Sequence, residues 1–402
     1  MQKTNGFWCQ PKRVSDFLWI AVLALFLNGC SAEKKTEISP QTSGHIKLIQ
    51  TDFRQLPGWQ KENFSEVIPV FRKNCAAVLQ NKKEYLYNAQ IKIKTADMQQ
   101  LCHQFTQERI QNAAQMKKFL ETQTTPYAIT DNGNADGKFT SYYEAEIRAS
   151  ATQTDRYKYP IYGKPTDLIE TNPHDFDDSL PSVRLVGRVE NGRFVPYYDR
   201  RHIEKNTMNA PVLMWGDDLV DIHFMQIQGS AVAKMTDGSE VRIGFADSNG
   251  RKFKGIGSIL LAEGVIEPKD SSMPKIREWL RKNPHKAADL MARNERFIFQ
   301  RIHNADGPLG AMGIPLVAGR SLAVDHSFIP LGAVMWLATQ NPDHEPIEKV
   351  VFAQDIGSAI KGIVRGDYFW GHGEEALYHA GRMNSVGKYY LLAPKHASVK
   401  AP

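Results

Sequence analysis

Little in this chain of 402 residues points to thiol, metal or nucleotide chemistry. Its four cysteines form no CxxC pair, and the patterns HExxH, GxxxxGK[ST] and GxSxG are absent. These absences argue against zinc peptidases, P-loop nucleotidases and serine hydrolases built on a nucleophile elbow. The net charge is +6, but no basic run is interleaved with aromatic residues, so nucleic acid is not an expected partner. We also expect no metal and no organic cofactor.

A short apolar run lies near the N-terminus, between basic residues and a cysteine. Lys12 and Arg13 precede residues 17–27, which are 11 residues long and too few to span a bilayer. The run stops at small residues before Cys30, a pattern typical of an export signal. With a cysteine at the cleavage point, the segment resembles the lipobox of bacterial lipoproteins.

That resemblance implies the fate of the first 44 residues. It predicts a signal peptide over 1–29, lipidation of Cys30 and a polar tether over 30–44. Ser31 stands where an aspartate would favour retention at the inner membrane. We therefore expect the protein to be anchored through Cys30 at the periplasmic face of the outer membrane.

Two cysteines remain beyond the tether. Cys75 lies in a predicted helix that begins near Ser65, and Cys102 lies in a second predicted helix over about 96–122. An oxidising compartment makes a disulfide between them plausible, and two free core cysteines are the open alternative.

The middle of the chain changes to short β-like segments from Phe139 onward. Tyrosines are frequent there, and an Asp237-Gly238 pair indicates a hairpin. Short helices are predicted at 257–263, 274–282 and 285–294. Tyrosine rings suit carbohydrate faces, but they suit strand packing equally well.

Three aspartates near the C-terminus are the strongest chemical feature. Asp355 follows the apolar strand 349–354, and Asp367 lies between Gly366 and three aromatic residues. Partial desolvation raises the pKa of a carboxyl group, and a second carboxylate nearby raises it further, which suits a general acid. The alternative is that the aspartates cap strands and turns, and the DHSFIPLG context of Asp325 favours a turn.

Eight segments resemble the membrane-bound lytic transglycosylase A family. The blocks VAGRSLAVDHSFIPLG, FAQDIGSAIKG, RGDYFWGHGEEA and AGRMNSVGKYYLLAP resemble its closing 3D module. Upstream, FTSYYEAEI, YPIYGKP, FMQIQGSA and DGSEVRIGFADSNGRKFKGIG resemble its middle domain in the same order. With the lipobox, the resemblance covers nearly the whole chain after the signal peptide.

The resemblance implies a mainly β fold with some α. A six-stranded double-psi β-barrel, the catalytic domain, would be assembled from residues 45–141 and 305–402. A smaller β domain over 142–304 would be inserted between them, with the glycan bound in the groove that the two domains form.

The implied activity is cleavage of the β-1,4 bond between N-acetylmuramic acid and N-acetylglucosamine in peptidoglycan, leaving a 1,6-anhydro end. By motif position, Asp367 is the general acid and base, and Asp355 is the neighbouring carboxylate that poises it. Expected partners are peptidoglycan strands and the outer membrane through the lipid anchor, and other cell-wall enzymes are candidates.

The resemblance also implies, by motif position, a set of substrate-binding residues. They are Gln228, Gly229 and Ser230 of the QGS element, Thr140, Tyr142 and Tyr143 at the domain junction, and Asp325. Two positions depart from the family pattern. Glu144 stands where the family block reads G-Y-Y-T-P, which puts an extra carboxylate near the groove, and Ser358 replaces a glycine.

One carboxyl group suffices for lytic cleavage, because the C6 hydroxyl of the substrate attacks C1 in place of an external water. A hydrolase needs two carboxylates across the sugar. The first alternative is therefore an inverting hydrolase that uses Asp355 and Asp367, or Glu144, as its pair. The second is a peptidoglycan-binding lipoprotein without catalysis.

Overall fold

The computed structural model describes residues 45–87, 89–397 and 399. The predicted signal peptide, the lipidation site Cys30 and the tether over 30–44 lie outside this part of the chain. Within it, no helix combines the length and the apolar character that crossing a membrane requires.

Strands dominate both halves of the described chain. In order they are β1 (Ile46–Gln50), β2 (Thr124–Asp131), β3 (Gly137–Ser150), β4 (Tyr159–Tyr162), β5 (Ile169–Thr171), β6 (Leu185–Glu190), β7 (Arg193–Pro196), β8 (Val212–Gly216), β9 (Ser230–Met235), β10 (Glu240–Ser248), β11 (Ile298–His303), β12 (Ser321–Val324), β13 (Val334–Gln340), β14 (Pro346–Ile356), β15 (Arg365–His372) and β16 (Asn384–Pro394).

The helices fall into an N-terminal group and a group between the strands. They are α1 (Phe64–Gln80), α2 (Thr95–Gln107), α3 (Ala113–Gln123), α4 (Arg200–Lys205), α5 (Leu219–Gln228), α6 (Ile256–Ala262), α7 (Met273–Lys282), α8 (Pro284–Ala292) and α9 (Glu374–Ala380).

Six strands close into a barrel in the order β3, β16, β13, β14, β12, β15 and back to β3. The pairs β12–β14 and β15–β3 are parallel, and the other four pairs are antiparallel. Closure leaves these strands without free edges. The prediction of a mainly β fold, with a barrel built from both ends of the chain and a second β domain, is confirmed.

The N-terminal helices are held to one another by a disulfide. Cys75 in α1 and Cys102 in α2 are bonded, with Cα atoms 5.4 Å apart and a sequence separation of 27. Closing a loop of that length restricts the unfolded chain, which stabilises the fold by roughly 3 to 4 kcal/mol in the chain-entropy view. Of the two alternatives left open by the sequence, the structure has the disulfide.

The prediction of one helix over about 96–122 is wrong. The segment forms α2 and α3, and the break has a local cause. Arg109 takes a left-handed φ of 48°, and Asn112 starts α3 by accepting a hydrogen bond from the backbone N–H of Gln115. An asparagine with glutamine three residues later is a capping box, which begins a new helix rather than continuing one.

Strand β3 belongs to the barrel and to the second sheet. Its first half pairs with β15 and β16, and its second half, from Ala145 to Ala149, pairs with β9. The sheet then continues through β10 to β11, while β8 pairs with both β3 and β4. One continuous strand therefore joins the barrel to the inserted elements without a loop.

Candidate active site

Two of the aspartates lie in one row across three neighbouring strands. Asp355 in β14 pairs with Ala323 in β12, and Ala323 pairs with Asp367 in β15. Thr140 in β3 extends the row, because it pairs with Asp367. Neighbouring strands are about 4.8 Å apart, so the backbones of Asp355 and Asp367 are about 10 Å apart and their side chains share a face.

This row faces outward from the barrel. The residues next to it along the strands, Leu322, Val324 and Tyr368, are 0%, 0% and 1% exposed and pack in the barrel core. Because side chains alternate along a strand, the row itself points to the opposite side. Asp355 and Asp367 are both partly exposed there.

A β-bulge brings Asp355 into the row. The pairing of β12 with β14 shifts register between Leu322 and Ala323, which leaves Gln354 as an extra residue. Its amide is fully buried, accepts a hydrogen bond from the Ser321 hydroxyl at 2.6 Å and donates one to Asn74 at 3.2 Å. Bulges re-aim the next side chain, and here Asp355 is the side chain that turns outward.

The Asp367 carboxyl group is oriented through one of its oxygens. The Thr140 hydroxyl donates to Oδ1 of Asp367. That hydroxyl accepts in turn from Nη2 of Arg365 at 2.7 Å. Among the residues that the structure describes, no donor bonds Oδ2 of Asp367, which leaves that oxygen for a ligand.

Both oxygens of Asp355 are engaged instead. The Tyr142 hydroxyl donates to Oδ2 at 2.8 Å, and the backbone N–H of Ala311 donates to Oδ1 at 3.0 Å. Tyr142 also packs its ring against Phe369 in the neighbouring strand, with centroids 5.1 Å apart. Asp355 is therefore held in place more completely than Asp367.

Burial raises the pKa of Asp367 above its ordinary value, because removal from water disfavours the charged form. The positive charge of Arg365 and the hydrogen bond from Thr140 act in the opposite direction without cancelling the effect of burial. A carboxyl group shifted this way keeps its proton to a higher pH than an exposed aspartate.

Burial likewise raises the pKa of Asp355, to about 6. The negative charge of Asp367 adds to the rise, while the donors Tyr142, Ile356 N–H and Ala311 N–H oppose it. The electrostatic interaction between the two carboxyl groups is mutual, so each makes loss of the other's proton harder.

The QGS element is placed by a helix end. Gly229 ends α5 with a left-handed φ of 89°, which lets the chain turn directly into β9 at Ser230. Oε1 of Gln228 accepts from the backbone N–H of Tyr143 at 3.1 Å. The element therefore lies against β3, next to the residues that contact the aspartates.

Tyr143 differs from the expectation for a substrate-binding residue. It alternates with Tyr142 along β3 and so points to the other face, where it is 3% exposed and packs in the core of the second sheet. Its hydroxyl accepts from Nη1 of Arg277 at 3.1 Å. The structure does not bring it together with Asp355 and Asp367.

Asp325 is also not brought to the row. Its side chain is 2% exposed and accepts from Ser327 N–H at 3.2 Å, from the Ser327 hydroxyl at 2.6 Å and from Gly362 N–H at 3.0 Å. These contacts place the carboxylate within a turn of the barrel, as its local sequence indicates, rather than at a ligand surface.

Glu144 is fully buried and forms an ion pair with Arg242. A base for a hydrolytic water must reach both solvent and sugar, so this environment does not suit that role.

Arg365 and the backbone of Ala311 are site components that sequence reasoning missed. Arg365 was detectable in principle, because it is two residues from Asp367 and so shares its face of a strand. Ala311 carried no signal, because only its backbone N–H takes part.

Fold and site together define a protein equipped for general acid chemistry by carboxyl groups on the outer face of a closed barrel. Two family models match this chain: the MltA specific insert domain over residues 138–301 and the 3D domain over residues 320–393.

Membrane-bound lytic murein transglycosylase A of Escherichia coli (strain K12) is 28% identical over 263 residues, which cover 63% of this chain and 65% of that protein. The alignment thus spans just under two thirds of that curated relative.

Two crystal structures extend the similarity over most of the chain. MltA from Neisseria gonorrhoeae, in its monoclinic form, has a TM-score of 0.77 at 31% identity and covers 90% of this chain and 96% of its own. The membrane-bound lytic murein transglycosylase from Agrobacterium tumefaciens has a TM-score of 0.78 at 31% identity and covers 87% and 98%. This chain belongs to the membrane-bound lytic murein transglycosylase A family.

Proposed function

We propose that this protein is a lytic transglycosylase of peptidoglycan. It cleaves the β-1,4 bond between N-acetylmuramic acid and N-acetylglucosamine and leaves a 1,6-anhydro end, with Asp367 as the single general acid and base. The observation that carries the proposal is the Asp367 carboxyl group, whose pKa burial raises and whose Oδ1 is oriented by Thr140. The chain that carries this carboxyl group belongs to the family named above.

The proton moves in a closed cycle. Protonated Asp367 gives its proton to the glycosidic oxygen as the bond from that oxygen to C1 breaks. The C6 hydroxyl of the same sugar then bonds to C1, and its proton returns to the Asp367 carboxylate. No external water is consumed, so a second carboxylate across the sugar is not required.

Asp355 acts on this step through its charge and its position. Its two oxygens are held by Tyr142 and Ala311. These contacts keep Asp355 two strands away from Asp367, with Ala323 on the strand between them. A negative charge there favours the protonated form of Asp367 before the reaction. Asp355 is thus a positioning residue, and Asp367 is the group that touches substrate.

The substrate groove would be shared by two domains, with the barrel over 45–141 and 305–402 and the insert over 142–304. Support comes from β3, whose Thr140 and Tyr142 contact the aspartates before the strand continues into the second sheet. We propose that Thr140, Tyr142 and Ser230 line the groove, and that Gln228 and Gly229 hold Ser230 at its edge.

The membrane attachment is proposed from the sequence of residues 17–30 and from relatives whose names include membrane-bound. A lipid on Cys30 would hold the protein at the periplasmic face of the outer membrane. Replacing Cys30→Ser should move the protein from the membrane fraction to the soluble fraction of cells. Unchanged membrane association would contradict the lipid anchor without affecting the proposed chemistry.

The reaction is tested by the mass of the products released from purified sacculi. Lytic cleavage gives anhydro-muropeptides, and each is lighter by one water than the hydrolysis product. Reducing ends in place of anhydro ends would identify a hydrolase. Binding to sacculi with no soluble product would identify a binding protein instead.

A further inference from the structure

One face of β3 continues from the aspartates into an ionic cluster. Thr140, Tyr142, Glu144 and Glu146 alternate along the strand and therefore point to the same side. The first two contact Asp367 and Asp355 respectively. At about 3.3 Å per residue, Glu144 lies about 13 Å along the strand from Thr140, which is within reach of the same extended polymer.

Glu144 is a buried carboxylate with one hydrogen-bond partner among the described residues. It is 0% exposed, and its Oε2 accepts from Nη1 of Arg242. Oε1 is buried without a hydrogen-bond partner in the part of the chain that the structure describes. An incompletely paired buried charge costs stability rather than adding to it, so a purely structural role leaves this residue unexplained.

Arg242 is positioned by that carboxylate and remains open to a ligand. Its side chain is 25% exposed, and within the described residues the contact with Glu144 is the hydrogen bond that it makes. Nε and Nη2 are therefore available. The planar guanidinium group binds carboxylates through two parallel hydrogen bonds, and a fixed orientation reduces the entropy lost on binding.

The charges on the surrounding sheet are close to balanced. Arg242 pairs with His303 on one side and with Val232 on the other, and Val232 pairs in turn with Glu146. These four residues therefore form one row across the sheet. On this face the charged side chains with exposed surface are Arg148, Lys234, Arg242, Arg301, Glu146 and Glu240. Four are positive and two are negative, and the buried carboxylates of Glu144 and Asp217 bring the face close to neutrality. The free Nε and Nη2 of Arg242, and not the net charge of the face, therefore supply the preference for a carboxylate.

We infer that Arg242, held in place by Glu144, binds a carboxylate of the glycan strand and so selects muramyl-containing stretches of the substrate. The inference rests on the proposed transglycosylase function. The carboxylate is either the lactyl group of a bare muramyl residue or an acid group of a peptide stem. Arg242 is the specificity-determining residue and Glu144 its positioning residue.

The test compares ligands that differ in their carboxylates. Soluble glycan strands with intact peptides carry stem carboxylates. The same strands after amidase treatment carry lactyl carboxylates, and chitohexaose carries neither. For Arg242→Gln we expect KM to rise at least about tenfold on a carboxylate-bearing strand, with kcat within about twofold, as loss of a charge-assisted contact predicts. The Kd for chitohexaose, measured by calorimetry in an Asp367→Asn background, should stay within about twofold.

Matched variants separate positioning from folding. Glu144→Gln keeps the volume and removes the charge, and we expect a smaller rise in KM on the same strand. Arg54→Gln removes an exposed arginine, whose side chain is 85% accessible, and should change no constant. A rise confined to bare strands assigns the lactyl carboxylate, and a rise on peptide-bearing strands assigns the stem.

Equal losses on strands and chitohexaose, or no loss on any ligand, would overturn the inference. These outcomes are distinct from failure of the proposed function, in which the unaltered protein would release no anhydro product from either kind of strand.

Discussion

The turn at Asp325 and the row at Asp367 hold the same residue type in opposite states. Burial works to raise the pKa of Asp325, but Ser327, Gly362 N–H and the charge of Lys361 more than offset it, so the pKa is lowered. At Asp367, burial prevails over Arg365 and Thr140, and the pKa is raised. At these two positions the balance between burial and the surrounding donors and charges decides whether the carboxyl group is a fixed charge or an acid.

The largest expected effect comes from Asp367→Asn, which removes the proposed proton carrier while preserving shape. Release of anhydro-muropeptides from sacculi should fall by about 10³-fold or more, since general acid–base catalysis contributes on the order of 10² to 10⁴. The melting temperature should not fall, because no buried ion pair is lost. Asp325→Asn is the matched control, and its kcat should remain within a few-fold of the unaltered protein.

A smaller effect is expected from Asp355→Asn. Removing this carboxylate takes away the negative charge that favours the protonated form of Asp367. Activity that requires a protonated acid is present below its pKa and is lost as pH rises through it. The alkaline limb of the kcat/KM profile should therefore move to lower pH, and the rate at neutral pH should fall about tenfold or more. An alkaline limb that stays in place would show that Asp355 does not tune Asp367.

The smallest effect on activity, but a measurable one on stability, is expected from Asp325→Asn. The amide would place a donor where Ser327 and Gly362 also donate, at a cost of about 1 to 3 kcal/mol in the free energy of unfolding. Because the pKa of Asp325 is lowered in the folded state, its contribution is present at neutral pH and is lost as pH falls through that pKa. Urea titrations at pH 7 and at low pH should show the difference shrinking in acid. A difference independent of pH would contradict this account of the turn.

Sequence similarity alone was enough to predict the barrel and the second β domain. It also named Asp355 and Asp367 as neighbouring carboxylates, and the structure places them in one row. Those features follow from blocks whose order and motifs are distinctive. The helix break at Asn112 was missed because apolar spacing continues across it, although the Asn112 to Gln115 capping box is a local signal.

The contacts within the site were less predictable. Thr140 and Asp367 are 227 residues apart in sequence, and their hydrogen bond depends on a parallel register that local patterns do not encode. The orientation of Asp355 depends on the bulge at Gln354, which its surrounding strand pattern does not mark. Alternation along β3 did separate Tyr142 from Tyr143, so the second tyrosine could have been assigned to the core.

The most direct test of the central claim is a site-specific titration of the aspartates by carboxyl ¹³C NMR, assigned with the Asp325→Asn and Asp367→Asn variants. The account predicts that Asp367 titrates above its ordinary value of 3.8 and Asp325 below it. An Asp367 that titrates at or below 3.8 would contradict its role as the proton carrier.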